Sequence, residues 1–141
     1  MPITGFEDLA KALTGMIGGL DDAGAQVVKR SQVVFQREVV RSFTEQHARG
    51  TPTPAPPGNP PAVVTGTLRR SFVASEPERS GFGWSGQVYP TEVYARIQEL
   101  GGVAGYAHLP ARPYMAPSLR IVKPLIEGIH VEEYGKALKL H

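Results

Sequence analysis

The sequence predicts an α+β domain: N-terminal helices, a small antiparallel sheet with an extended proline-rich arm, and a C-terminal helix. Three observations carry this. Apolar residues recur at helical spacing through the first 48 positions, six of the thirteen prolines fall in Thr51–Ala62, and alternating apolar residues then give way to a second helical period after Pro117. At 141 residues the chain is one domain, 1–141, which on the usual scaling buries roughly 68% of its unfolded surface. It divides into a helical region (1–48), a Pro-rich arm (49–64), a stretch with hairpin, short helix and strap (65–115) and a C-terminal helix (116–141).

The first helix is expected to start at Thr4-Gly5-Phe6-Glu7, where Thr4 and Glu7 have capping-box spacing. Phe6, Leu9, Leu13, Met16, Ile17 and Leu20 then form a stripe within about 100° of arc. Gly15, Gly18 and Gly19 leave its end poorly defined, and Asp21 or Asp22 offers the N-cap of a second helix of roughly 40 Å running to about His47, before Gly50 and Pro52 stop it. In that helix Val28, Phe35, Val39 and Phe43 share one face. Arg30, Arg37 and Arg41 cluster within about 40° on the opposite one. The stripe is open to two readings: a solvated face paired with Glu38 and Glu45, or a surface that meets an acidic partner or DNA.

The arm Thr51–Ala62, with Pro52, Pro54, Pro56 and Pro57, excludes a regular helix or central strand. In a polyproline conformation it spans some 35 Å, enough to reach a neighbouring subunit; a linker is the other reading. Phe72–Ser75 and Phe82–Tyr89 then read as a hairpin around Glu76–Gly81, with Phe82, Trp84 and Val88 on one face and Gly83 and Gly86 either weakening the second strand or marking a bulge. Thr91 is expected to cap a short helix whose Val93, Tyr94, Ile97 and Leu100 point inward and which closes at Gly101. Gly101–Gly105 reads as a flexible loop, without the lysine and strand–helix setting of a phosphate cradle. Two strands alone are marginal, so a third is expected around Tyr106–Leu109. From Pro117 the chain reads as a helix in two parts divided near Pro124, with Leu119, Val122, Ile126 and Ile129 on one face, Val131, Tyr134 and Leu138 continuing beyond, and a Glu132–Lys136 pair.

Composition limits the chemistry. Fifteen basic and thirteen acidic residues leave a net charge of only +2, no polybasic surface, and no cysteine is present for disulfides, thiolate metal sites or thiol catalysis. That usage fits reducing cytoplasm. Glu7, Asp8 and Lys11 interrupt the N-terminal apolar run, so it does not read as a secretory signal, and no uncharged stretch is long enough to cross a membrane. His47, His108, His130 and His141 are too far apart in sequence for a ligand pair, Glu132 and Glu133 project in different directions, and no serine elbow is present. No catalytic residue, metal site or cofactor is predicted, and the chain does not read as an enzyme.

Three blocks, TGTLRRSF at Thr65–Phe72, YARIQELG at Tyr94–Gly101 and LPARPYMAPSL at Leu109–Leu119, combine punctuation, an apolar position and a fixed arginine. In order and approximate spacing they resemble the phage tail-component family found in the necks of long-tailed phages. The middle and last blocks are also similar to the virion morphogenesis (tail completion) proteins of Mu-like phages. The resemblance covers about Phe6–Leu138. It implies a virion protein without an enzymatic step, made in the host cytoplasm, which forms a ring of six copies where the tail joins the head. Its neighbours would be head-completion or connector proteins and the tail tube, with non-specific contact to DNA in the channel and no membrane. The proline arm and the wide Gly101–His108 loop depart from the family pattern and leave connector, completion and terminator positions open. A DNA-binding module or non-virion assembly factor using the arginine stripe is the alternative.

The residues also suggest contacts directly. Arg112, held extended by Pro113, is expected to aim outward from a stiff strap, with Tyr114 and Met115 packed beneath it. Either the strap covers the core or Arg112 bridges to an adjacent subunit. Of Arg69 and Arg70, one is expected to pair with Glu99 or another local acid while the other is left for an interface. The candidate interface is therefore Arg30, Arg37, Arg41, Pro52, Pro54, Pro56, Pro57, Arg69, Arg70, Arg112 and Tyr114.

Overall fold

One helix of 37 residues, α1 (Phe6–Ser42), carries the N-terminal region in a computed structural model that describes residues 5–43, 58, 61 and 66–139. The expected division into two helices is corrected. Each helical glycine costs only about 1 kcal/mol relative to alanine, too little for Gly15, Gly18 and Gly19 to end a long helix. Asp21 is no N-cap either. Its carboxylate lies mid-helix, accepts the Trp84 indole N–H at 3.1 Å and pairs with Arg79, whose guanidinium sits 5.0 Å from the Trp84 ring centre. Gly24, one turn on, is where the indole comes closest: a Cβ there would stand 2.7 Å from Trp84 Cδ1. The N-cap is Gly5, with no side-chain cap bond, and Thr4 lies outside the described residues, as does the expected continuation to His47.

The C-terminal helix, α4 (Met115–Lys139), is also continuous, correcting the two-part reading. Pro117 sits in its first turn, where a missing N–H costs nothing. Pro124 lies inside the helix and removes one backbone donor without dividing it. The two helices run antiparallel: Tyr114 and Met115 pack at the Val39–Phe43 end of α1, Glu133 reaches Arg30, and the Tyr134 hydroxyl approaches Gly24.

Between the helices lie a one-turn helix α2 (Thr67–Arg70), six three-residue strands and a short helix α3 (Ala95–Leu100). The strands are β1 (Phe72–Ala74), β2 (Glu78–Ser80), β3 (Gly83–Ser85), β4 (Val88–Pro90), β5 (Gly102–Ala104) and β6 (Ala107–Leu109). The predicted hairpin exists, but its turn is Gly81–Phe82 and not Glu76–Gly81. Its ladder runs Phe72↔Pro90 to Ala74↔Val88, breaks, and resumes from Glu78↔Ser85 to Ser80↔Gly83. Three residues oppose two at the break, which includes Gly86, where a bulge is expected. Gln32 of α1 spans it, donating to the Ser75 and Gln87 carbonyls at 3.0 Å each, while Gln36 donates to Phe72 O at 2.9 Å. Phe82, expected on the inner face, is fully exposed at the tip.

The strand expected near Tyr106–Leu109 is β6, yet it adds to neither ladder. It pairs with β5, formed by residues read as loop, in a separate hairpin (Val103↔His108). Thr91 does not cap α3. Both its N–H and its hydroxyl bond Ser71 O, and α3 starts at Ala95, leaving Val93 and Leu100 exposed.

The main core lies at the C-terminal end of α1, where Val39, Phe43, Leu68, Phe72, Ala95 and Tyr114 meet. Tyr114 is at its centre, 1% exposed, with ring centres 5.2 Å from Phe43 and 5.7 Å from Phe72. Its hydroxyl donates to Ala95 O at 2.8 Å, tying the start of α4 to α3. Burial, followed by the nearby Glu99 charge, pushes the phenol up to about 12.

Candidate interaction surface

The predicted interface residues separate into four groups. Arg30 is a correction: it is not on an open stripe but is clamped by two residues of α4, Glu133 and Glu132, the latter at 3.2 Å. Glu132 also accepts from Lys136 at 2.8 Å, the predicted pair four apart. Adjacent glutamates diverge on a helix, and here both converge on one guanidinium because its fork offers two donor edges. Lys136, then Arg30, hold the Glu132 carboxyl down to about 2 from an ordinary 4.5. Because the folded value is depressed, the resulting stabilisation is complete above about pH 4.5 and is lost as pH falls toward 2. A melting curve followed across that window should fall more steeply for the parent chain than for Glu132→Gln.

Arg112 and Tyr114 are also corrections. Arg112 is 8% exposed and its backbone N–H donates to Gln98 O at 2.7 Å, so the strap turns inward; Tyr114 is core. An extended residue before proline fixes the backbone, not the side-chain direction. Nor does Glu99 take Arg69 or Arg70. Its two oxygens accept the N–H groups of Tyr114 (2.6 Å), Met115 (3.0 Å) and Ala116 (3.1 Å) at the start of α4. A carboxylate is well suited there, since those donors lack helical partners and the helix N-terminus is positive. Glu99→Gln keeps the shape and loses the charge and an acceptor; a loss of about 1–2 kcal/mol in denaturant unfolding is expected.

Arg37, Arg41 and Arg69 remain as exposed cations with no acidic partner among the described residues, and Arg70 lies along Gly66. Pro52, Pro54, Pro56 and Pro57 lie outside the described residues, as does Glu45; at the edges of that stretch Gly58 N–H donates to Ala111 O at 3.0 Å and Pro61 is buried.

The surface that sequence reasoning missed is apolar. Among the described residues eighteen large hydrophobic side chains are exposed against eight buried ones, alanines aside. No residue of α1 before Ala23 is buried. With Tyr134 beside Gly24 and α4 ending at Lys139, the antiparallel pairing runs out near Leu20, and roughly the first four turns of α1 project beyond α4, about 20 Å at 1.5 Å per residue. The projecting stripe, Phe6 (86% exposed), Leu9, Leu13 and Ile17 (68%), continues the face that α4 covers further along. The stripe itself was legible; that its partner helix is too short to cover it was not.

A half-open cleft of about 380 Å³ lies between α1, the first hairpin and α4, lined by Val28, Phe35, Trp84, Leu119 and Ile126 among others. Ser31, also on its wall, has a buried hydroxyl with no hydrogen-bond partner. Among the described residues there is no His, Asp or Glu group able to hold a metal ion, and no helix is long and apolar enough to cross a membrane. Comparison with protein-family models, curated proteins and solved structures finds no match to this chain.

Proposed function

We propose that this chain is a structural subunit of a phage head–tail junction, assembling into a ring that completes the tail and joins it to the head, without a catalytic step. The observation that carries the reading is the uncovered apolar half of α1. A water-exposed helical stretch over residues 6–20 containing Gly15, Gly18 and Gly19 has little stability alone, and a contiguous apolar stripe of this size marks an interaction site. The three sequence blocks that resemble neck proteins support it differently: their residues build the α2, α3 and α4 junction around Tyr114, a base from which α1 projects.

The DNA-binding alternative loses Arg30 to the α4 clamp, leaving Arg37, Arg41 and Arg69 from the original set as exposed cations, while Arg70 already holds an interaction. Weak, salt-dependent contact with DNA passing through a ring needs no more than these. Cryo-electron microscopy of the parent particle tests the proposal: density for this chain as a ring at the head-proximal end of the tail supports it. A mature particle without the chain would sink it.

A further inference from the structure

We infer that the projecting part of α1 packs in parallel along the outward face of α4 in a second copy of this chain. The inference deepens the ring reading and rests on it.

The receiving face is the side of α4 turned away from α1. Val122, Ile129 and Ala137 are the buried positions toward α1, whereas Ile121, Gly128, Val131 and Leu138 occupy about 100° of arc on the other side and are exposed, Val131 at 76%. This helix therefore has two apolar faces and only one is covered. A cover made by a second copy requires a matching exposed element on the same chain, and the stripe Phe6, Leu9, Leu13, Ile17 is one, confined to about 80° of arc. The dimensions agree: about 16 Å from Phe6 to Ile17 and about 15 Å from Ile121 to Val131. Setting Phe6 beside Ile121 places Leu13 over Gly128, where a Cβ would meet nothing within 4 Å, so two helices can approach closely.

Charge selects the direction. Arg120 and Lys123 border the receiving face and have no acidic partner among the described residues, and Glu7 lies in the first turn of α1. The parallel arrangement puts Glu7 beside those cations; the reverse one puts it beside Glu132. Each apolar patch offers roughly 500 Å², so one contact removes about 1,000 Å² in total, the lower bound for a specific interface. Because the two patches differ, the contact is head-to-tail: the copy that donates α1 keeps its α4 face free, its neighbour keeps its α1 stripe free, and repetition gives a ring where the rotation between copies closes.

The chain has no cysteine, so introduced thiols report without interference. Full-length Leu13→Cys and full-length Gly128→Cys, mixed and oxidised with glutathione disulfide, should give a disulfide-linked dimer containing one of each. Neither variant alone should exceed a tenth of that yield, and the chain carrying both substitutions should give a ladder of multimers. Absence of the mixed dimer at millimolar protein overturns the inference and leaves the α4 face to another virion protein. Added to these chains, Glu7→Lys on the Leu13→Cys partner should lower the mixed-dimer yield several-fold, and Lys123→Glu on the Gly128→Cys partner should restore it. Failure to restore overturns the parallel register. Cross-linked copies with no ring in the particle would sink the junction reading alone; a ring whose copies do not cross-link at these positions would sink the helix contact alone.

Discussion

Tyr114→Ala is expected to lower unfolding stability by about 3–5 kcal/mol, measured from the urea midpoint at unchanged slope. The ring is among the largest fully buried side chains, and it fills the space between Phe43 and Phe72 at the meeting point of α1, α3 and α4. Its removal leaves a cavity bounded by helices that cannot all close in at once, and it removes the hydroxyl that ties α4 to the Ala95 carbonyl. Tyr114→Phe separates the two contributions, since it keeps the packing and loses only the hydroxyl, with an expected cost of about 1–2 kcal/mol. A residue used at a subunit contact behaves differently: Tyr114→Ala would leave the isolated chain as stable as before and impair only assembly. That result would return Tyr114 to the candidate interface.

Gly101→Ala is the second large effect, about 2–4 kcal/mol. Gly101 leaves α3 with φ 70° and ψ −176°, a backbone region closed to side-chain-bearing residues. A Cβ there would stand 2.7 Å from Ala111 N and 2.8 Å from Leu109 O, both backbone atoms that cannot swing aside. The chain would have to pull α3 away from the strap, and with it Glu99 from the start of α4. Gly105→Ala is the control. Gly105 also has a positive φ, 63°, but nothing lies within 4 Å, so only the conformational cost of about 1 kcal/mol applies. If the two variants melt alike, the clash at Gly101 is not the cause.

The fold class was legible because long-period and alternating apolar patterns are local. Where the reading failed, the deciding contact was distant in sequence. Glycines and Asp21 looked like punctuation between helices, but Trp84 and Arg79, some sixty positions later, hold that turn of α1 in place. Arg30 looked like part of a solvated stripe because its acids lie about a hundred positions away. Gln32 and Gln36 carried a usable signal: two amides four apart beside an apolar face, ready to meet strand carbonyls. The start of α4 carried another, since Tyr114-Met115-Ala116 before Pro117 offers no Ser, Thr, Asp or Asn cap and needs an acceptor from elsewhere. The apolar stripe of α1 was visible, but whether a stripe is covered depends on the length and direction of its partner.

The separate β5–β6 hairpin offers a practical handle. Its hydrogen bonds close over a handful of residues, its tip at Gly105–Tyr106 stands in solvent, and neither strand joins the Phe72–Pro90 ladder. An epitope or fluorescent reporter spliced between Gly105 and Tyr106 therefore interrupts no long-range pairing. That hairpin tip becomes the address at which individual copies can be tagged and counted.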